Sequence, residues 1–431
     1  MNASTQAPNP ASTGGSPQDW TCPFCSLLCD GFGVEVRQGS LRLVGSDCSK
    51  AVQALAGFDA PRPAPALVDG RPVAAEAALD AAADRLATCR LPLFGGLATD
   101  VAGMRALYRL ANAGGAILDH ARGDALMHVL RALQDRGQMF STLAEIRNRA
   151  DLVVCIGTDA ATGFPEFFRR SAPVEGAGFA RRVVFVGAQP PAAPGLEGLQ
   201  VQHLDPAGDL FDTVAMLAAL VDEHRPPAPD AALADLAQMM RAARYCVVVW
   251  EPGRLPPQGA LIAEALLRIV MSLNRGTRAG AFILGGADGA QTANAVTTWM
   301  SGLPLRTRVG PHGVDHDPLQ YATARLLEEG AVDLLLWVAS LGPDLGPPAT
   351  SLPRIVLGHP ALAAACGGRG VVFIPVATPG VGAGGHMFRA DGVVTLPVRA
   401  VRDDGLPTVA DVAAALEARL ALRRLAAEGT P

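Results

Sequence analysis

The sequence predicts an α/β protein: a small N-terminal β domain of the iron–sulfur type, followed by two Rossmann-like, doubly wound domains. Three observations predict this. Four cysteines, Cys22, Cys25, Cys29 and Cys48, stand near the start with the spacing C-x2-C-x3-C-x18-C. From residue 67 onward, short apolar runs alternate with alanine-rich helical stretches, which implies parallel βαβ units. Several of those runs end in glycine, as at Gly95-Gly96, Gly157 and Gly285-Gly286.

The cysteine spacing suits a [4Fe–4S] cube, in which each thiolate takes one iron corner. Three ligands come from one loop, and the fourth has to return to it. Residues 31–36 and 40–44 read as two strands with a Gln38-Gly39 turn, a hairpin that brings Cys48 back beside Cys25. A structural zinc site or four unrelated thiols are the alternatives. Zinc sites usually come as two CxxC pairs, and a C-x3-C step is unusual in them.

Composition bounds the rest. A chain of 431 residues holds roughly two to four domains with ample core. Its net charge is -5, with no basic face concentrated enough for nucleic acid. No run of eighteen apolar residues exists, so no membrane span is expected. Residues 1–20 are polar and Pro/Ser-rich, without a basic or an apolar leader region, and read as a disordered tail rather than a signal peptide. Eight cysteines in such a chain point to a reducing cytoplasm. Cys89, Cys155, Cys246 and Cys366 read as plain core or surface thiols.

In chain order, residues 21–60 form the cysteine domain, and a Pro-rich linker over 60–66 ends it. Residues 67–230 read as one α/β domain. Helical periodicity covers 74–90, 100–113 and 126–136; strands are expected at 91–96, 115–119, 151–158 and 182–187. The unbroken apolar run in 151–158 marks a buried strand. Gly95-Gly96 and Gly157-Thr158 stand either where such sheets bind ligands or at plain tight turns. No GxGxxG occurs, so a nicotinamide cofactor is not indicated. Residues 231–380 repeat the pattern, with helices at 231–243 and 260–273 and strands at 245–250, 280–286, 333–339, 354–357 and 371–376. Asp315-His316-Asp317 reads as a polar loop, because nothing pairs with it at a fixed spacing. Residues 381–431 hold a last strand and a C-terminal helix over 408–427.

The Cys-Pro-Phe-Cys opening with its eighteen-residue gap resembles the B subunit of formylmethanofuran dehydrogenase, a member of the molybdenum/tungsten bis-pterin oxidoreductases, and its bacterial relatives in formyltransferase/hydrolase complexes. Thr298-Trp299-Met300-Ser301-Gly302 resembles that family's Thr-Trp-x-Ser-Gly pattern near the active-site funnel. Residues 384–392 resemble its E-x-E-G-T-x-x-R-x-E-G return strand, with Gly384 and His386 in place of the acidic residue and the threonine, and Arg389 and Gly392 kept. The resemblance covers nearly the whole chain. It implies the first three domains of a formate dehydrogenase/DMSO reductase-like fold, a return strand packed on the first domain, and a pterin-binding barrel left to a separate polypeptide, the D component of such complexes.

Further expectations come from the resemblance alone. Lys50, just past the fourth cysteine, would lie between cluster and pterin; a solvated surface lysine is the other reading. In the family, the metal's protein ligand is a cysteine or selenocysteine followed by a histidine. The corresponding loop here is Asp119-His120-Ala121-Arg122-Gly123-Asp124, without a cysteine. Asp119 or His120 could ligate a metal, or they are a helix-start aspartate and a polar-loop histidine. The resemblance therefore implies one component of a heteromeric complex, with the A, C and D components as partners, in tetrahydromethanopterin-linked formaldehyde oxidation to formate in methylotrophic one-carbon metabolism. Formyl groups would pass to a furan carrier and be hydrolysed in the partners, this chain being a scaffold with its own catalytic centre lost. A [4Fe–4S] cluster fits that expectation; a tungsten or molybdenum bis-pterin centre is not expected. The alternatives are a live tungsten or molybdenum enzyme with a [4Fe–4S] relay, and an iron–sulfur electron carrier without pterin.

Overall fold

The structure, a computed structural model, describes residues 19–58 and 65–428. The expected tail over 1–20 lies outside the described residues except for Asp19 and Trp20, as does most of the linker over 60–66. Trp20 is not part of a tail. It is buried, bridged to Phe32, and its indole N–H donates to the carbonyl of Gly380 at 2.7 Å. A large ring with a satisfied polar edge belongs in a core, and the polar residues before it conceal that.

After this residue come the hairpin strands β1 (Gly33–Arg37) and β2 (Ser40–Val44), then helix α1 (Ser49–Ala56). Next are β3 (Ala66–Val68), β4 (Arg71–Val73), α2 (Ala75–Thr88), β5 (Pro92–Ala98), α3 (Val101–Gly114), β6 (Ile117–Leu118) and α4 (Gly123–Arg136). The chain continues through α5 (Leu143–Arg149), β7 (Leu152–Ile156), α6 (Phe167–Ser171), β8 (Arg182–Val186), β9 (Gln200–Leu204) and α7 (Leu210–Val221). Then follow α8 (Ala231–Ala242), β10 (Tyr245–Trp250), α9 (Gly259–Leu273), β11 (Arg278–Ile283) and α10 (Ala290–Ser301). The last third holds β12 (Thr307–Gly310), β13 (Gly313–His316), α11 (Thr323–Glu328), β14 (Leu334–Ala339), β15 (Arg354–Gly358), β16 (Val371–Pro375), β17 (Gly385–Phe388), β18 (Thr395–Val398) and α12 (Val409–Glu428).

Two large sheets result, so the α/β class is as expected. A five-stranded, all-parallel sheet has the order β11-β10-β7-β8-β9. A nine-stranded sheet has the order β13-β12-β6-β5-β14-β15-β16-β3-β4, with β6 to β16 parallel and both margins antiparallel. Strand order reverses between β7 and β10 in the first sheet and between β5 and β14 in the second. Crevices that bind ligands form at the carboxyl ends of strands at such places.

The segments 67–230 and 231–380 do not each build one sheet. The five-stranded sheet draws β7 to β9 from the first and β10 and β11 from the second, and the nine-stranded sheet draws on both as well. The chain leaves the larger sheet after α4 and returns after β11. Strand–helix alternation is the same in either sheet, so periodicity carries no mark of the crossing.

Burial explains which strands announce themselves. Every residue of β7, β10 and β14 is buried, as central parallel strands covered on both faces must be. The strand β9 lies at an edge with Gln200, Val201 and Gln202 exposed, and its mixed polarity gives no strand signal. The same holds for β13, at an edge of the larger sheet. Asp315 and His316 lie within β13 rather than on a loop, and the His316 imidazole sits 3.0 Å from the Arg306 carbonyl. Helix starts follow local chemistry: Asp100 accepts from the N–H groups of Ala102 and Gly103 at the head of α3, and Thr142 and Glu145 form a reciprocal capping box on α5.

The cores place the N-terminal segment. One face of the five-stranded sheet packs on α7, α8 and α9. Its other face, including Val153, Phe185, Val247 and Phe282, shares one apolar cluster with Trp20, Phe24, Leu27 and the four N-terminal cysteines. The hairpin β17–β18 closes over the same segment: the Ala390 N–H donates to the Ser26 carbonyl at 2.7 Å, and Met387 and Val398 pack on Leu28.

Candidate functional site

The cysteine loop folds on itself. The Cys22 N–H donates to the Cys29 carbonyl at 2.9 Å and the Leu28 N–H to the Cys25 carbonyl at 3.1 Å, with Leu28 in the left-handed region at φ 44°. The β1–β2 hairpin then turns through Gln38 and Gly39 and returns the chain to Cys48, which immediately precedes α1. The Cys48 N–H is held by the Ser46 hydroxyl oxygen at 3.0 Å. All four cysteines are buried free thiols in one apolar cluster.

Their electrostatics reflect that crowding. Burial pushes the Cys22 thiol well above its ordinary range, and Cys25, then Cys29 and Cys48, push it further. Burial also raises Cys25, against which the Lys50 ammonium acts, and it raises Cys29, with Cys25 adding to the rise and Arg170 opposing it. Thiols raised in this way, as Cys22, Cys25 and Cys29 are, ionise only against a strong local cation, which is the chemistry of metal ligands. Among the described residues, no three His, Cys, Asp or Glu side chains converge as the ligands of a single ion do. A cube gives each thiolate its own iron and needs no such convergence.

Lys50 is half-buried, its ammonium 3.4 Å from the Gly163 carbonyl and 5.8 Å from the Phe164 ring centroid. It lines a cavity of about 310 Å³ together with Phe24, Phe58, Ala98, Arg122 and Leu341. Ala98 ends β5 and Leu341 follows β14, so this cavity sits at the reversal point of the nine-stranded sheet. At the other reversal point, the Thr158 hydroxyl after β7 donates to the carboxyl of Glu251 after β10, and burial pushes that carboxyl up. Gly157, at φ 62°, makes the turn there under Leu210. Gly95 and Gly96, in contrast, lie inside β5. A Cβ on Gly95 would stand 2.8 Å from the Trp337 ring, so that glycine is demanded by packing on β14 rather than by a ligand.

The loop over 119–124 is committed to structure. Asp119 is buried; one carboxylate oxygen accepts from the Arg306 guanidinium at 3.3 Å and from the His120 N–H at 2.9 Å, and the other accepts from the N–H and hydroxyl of Thr323, each at 2.8 Å. It is therefore not a helix-start cap; Arg122 stands at the head of α4. His120 is equally buried, and burial lowers its pKa to about 4. Its Nδ1 accepts from the Arg122 N–H at 2.9 Å, which leaves Nε2 to donate to the Asp288 carbonyl at 3.0 Å. Trp299 lies on the outer surface of α10, largely exposed, with the Arg105 guanidinium over its ring.

Sequence reading missed Ser46, Glu166 and Arg170, all of which approach the cysteine loop. Glu166 and Arg170 lie more than a hundred residues from it in sequence, and no local pattern couples them to it.

No protein-family model matches the chain. The chain is 32% identical over 326 residues to the B subunit of the formyltransferase/hydrolase complex Fhc of Methylorubrum extorquens, covering 75% of this chain and 88% of that relative. It is 25% identical over 403 residues to the B subunit of tungsten-containing formylmethanofuran dehydrogenase 2 of Methanocaldococcus jannaschii, covering 86% of this chain and 91% of that one. Among solved structures it is similar to a chain in the crystal structure of the formyltransferase/hydrolase complex FhcABCD of Methylorubrum extorquens with methylofuran. The TM-score is 0.73 at 32% identity, covering 84% of this chain and 99% of that chain. The resemblance carried by the Cys-Pro-Phe-Cys opening and the return strand is thus borne out: the chain belongs to the family of formyltransferase/hydrolase complex B subunits, related to the B subunit of formylmethanofuran dehydrogenase.

Proposed function

We propose that this chain is a scaffold within a formyltransferase/hydrolase complex of one-carbon metabolism, in which formyl transfer and hydrolysis proceed in the partner A, C and D components. The match to a chain of FhcABCD over 99% of that chain's length carries this reading. In it, residues 21–58 are a small iron–sulfur-type domain, and the two large sheets are Rossmann-like units of a formate dehydrogenase-like shell, each with its ligand crevice at the reversal of strand order.

The donor set of the 119–124 loop supports a scaffold over a redox enzyme. It holds no thiol, both oxygens of Asp119 are engaged by Arg306 and Thr323, and both nitrogens of His120 are spent on backbone groups. These residues do not fit the protein ligand of a tungsten or molybdenum bis-pterin centre.

The cysteines do fit a cluster. Cys22, Cys25, Cys29 and Cys48 would hold a [4Fe–4S] cube, which when bound supplies one-electron relay chemistry. In a scaffold its contribution is a cross-link: four thiols tie the loop over 22–29 to the start of α1, as a structural metal ties a small domain. Lys50 sets a positive charge beside Cys25 and favours its thiolate.

Anaerobic purification of the tagged chain from its native host tests this. The expected product is a heteromeric assembly with about four irons per copy of this chain. Recovery as a monodisperse monomer, with formyl hydrolysis unaffected by deleting the chain, would overturn it.

A further inference from the structure

We infer that residues 163–170, the connection that follows β7, are a clamp that sets the cysteine site from outside it, with Glu166 and Arg170 as its two positioning residues. This inference rests on the reading of the four cysteines as cluster ligands.

The segment faces two ways. Phe167 and Phe168 point into the five-stranded sheet, their ring centroids 5.5 Å from Phe282 and 5.8 Å from Phe185. The polar residues on either side of them reach the cysteine loop at both of its ends. Glu166 Oε1 accepts from the Ser46 hydroxyl at 3.1 Å, and the Ser46 oxygen in turn accepts from the Cys48 N–H. Arg170 pairs with Asp30, directly after Cys29, at 2.6 Å, and also reaches the Asp30 carbonyl at 3.4 Å. Gly163 receives Lys50, and Arg169 pairs with Asp47.

These contacts are not equal. Arg169–Asp47 is an exposed pair, and such pairs contribute little. Glu166 is only 3% exposed, and a carboxylate is rarely buried that far without a specific task for its oxygens. Here Oε1 holds Ser46, whose hydroxyl fixes the backbone of the fourth cysteine, while Oε2 pairs with Arg169 at 3.4 Å. The Arg170 guanidinium is mostly buried and fixes the far end of the loop over 22–29. One rigid eight-residue connection therefore spans the two chain segments that must meet for four sulfurs to share one cluster. Residues of this kind orient metal ligands without touching the metal, and their loss commonly costs about 10- to 100-fold in metal retention.

The test uses the full chain in its purified assembly, with Glu166→Ala, Glu166→Gln, Arg170→Ala and Arg170→Lys. Two quantities are read: the rate at which a ferrous chelator strips iron, and backbone hydrogen exchange over residues 44–50. The alanine variants should lose iron at least about tenfold faster, and Glu166→Ala should also lose exchange protection at Cys48. Glu166→Gln keeps an acceptor for Ser46 and Arg170→Lys keeps the charge, so both should stay near wild type. Equal rates in wild type and Glu166→Ala, or a Gln variant as damaged as the Ala variant, would overturn the clamp. If wild type binds no iron, the cluster reading falls. Hydrogen exchange then still decides the clamp, since the contacts described hold Cys48 with no metal present.

Discussion

The indole N–H of Trp20 donates to the carbonyl of Gly380 at 2.7 Å, across 360 residues of sequence. This bond ties the first described turn of the chain to the segment that leads into the β17–β18 hairpin. Gly380 is left-handed at φ 84°, and a Cβ there would meet the Pro23 ring at 2.9 Å, so the two segments are in close backbone contact. Trp20→Phe keeps most of the ring and removes the donor, leaving a buried carbonyl without a partner. The expected loss is about 1–3 kcal/mol, read by denaturant unfolding of the assembly, with faster proteolysis between residues 380 and 402. Unchanged stability would mean that the bond is replaceable by water.

The buried pair of Asp119 and Arg306 allows a sharper test. Both side chains are nearly inaccessible, and Arg306 also reaches Asp124 and the Pro318 carbonyl. Burial raises the Asp119 carboxyl, and Arg306 opposes that rise. Removing one partner of such a pair strands a buried charge, so Arg306→Ala should cost about 3–5 kcal/mol. Metal content per chain should not change with Asp119→Asn. A loss of bound metal in that variant would instead mark Asp119 as a ligand.

Two histidines predict how stability varies with pH. Burial holds both His120 and His359 at about 4, below the ordinary value of 6.5. The unfolded chain therefore binds more protons than the folded chain between those values, and stability rises with pH across that window. The contribution is complete above about pH 6.5 and is lost as pH falls toward 4, to the extent of roughly 3 kcal/mol per histidine. Unfolding midpoints measured from pH 7.5 to 4.5 should fall less steeply for His359→Gln than for wild type; identical slopes would contradict the assignment.

Gly96 tests the packing of β5 on β14. Its φ is 74°, and a Cβ would stand 2.4 Å from the Val338 carbonyl oxygen. Gly96→Ala should therefore destabilise the chain by at least about 1–3 kcal/mol through overpacking and backbone strain. A thermal midpoint equal to wild type would show that β5 can shift at no cost.

Much of this was legible in the sequence, and the reasons are particular. The hairpin after Cys29 was readable because strand alternation and a Gln38-Gly39 turn act over a dozen residues. The central strands β7, β10 and β14 were readable because burial on both faces forces unbroken apolar runs. The edge strands β9 and β13 were not, because one side of each meets water and their composition matches a loop. The sheet crossing was invisible for a different reason: leaving one parallel sheet for another changes which strands pair, not their local periodicity. The cysteines were found by spacing alone, whereas Glu166 and Arg170 were not, since ion pairs between distant segments have no sequence period. In sequence Gly95-Gly96 reads as a strand end, at a ligand or a tight turn, but both glycines lie inside β5. A glycine required by a neighbouring tryptophan looks like either.

We propose a scaffold whose cysteine site survives while its redox centre does not. It is tested most directly by viologen-linked formate oxidation on the anaerobically purified assembly, with iron, tungsten, molybdenum and zinc measured on the same sample. The scaffold reading predicts no viologen reduction and no stoichiometric tungsten or molybdenum, with iron bound and lost together with Cys22, Cys25, Cys29 or Cys48. Turnover accompanied by about one tungsten or molybdenum per copy of this chain would contradict it.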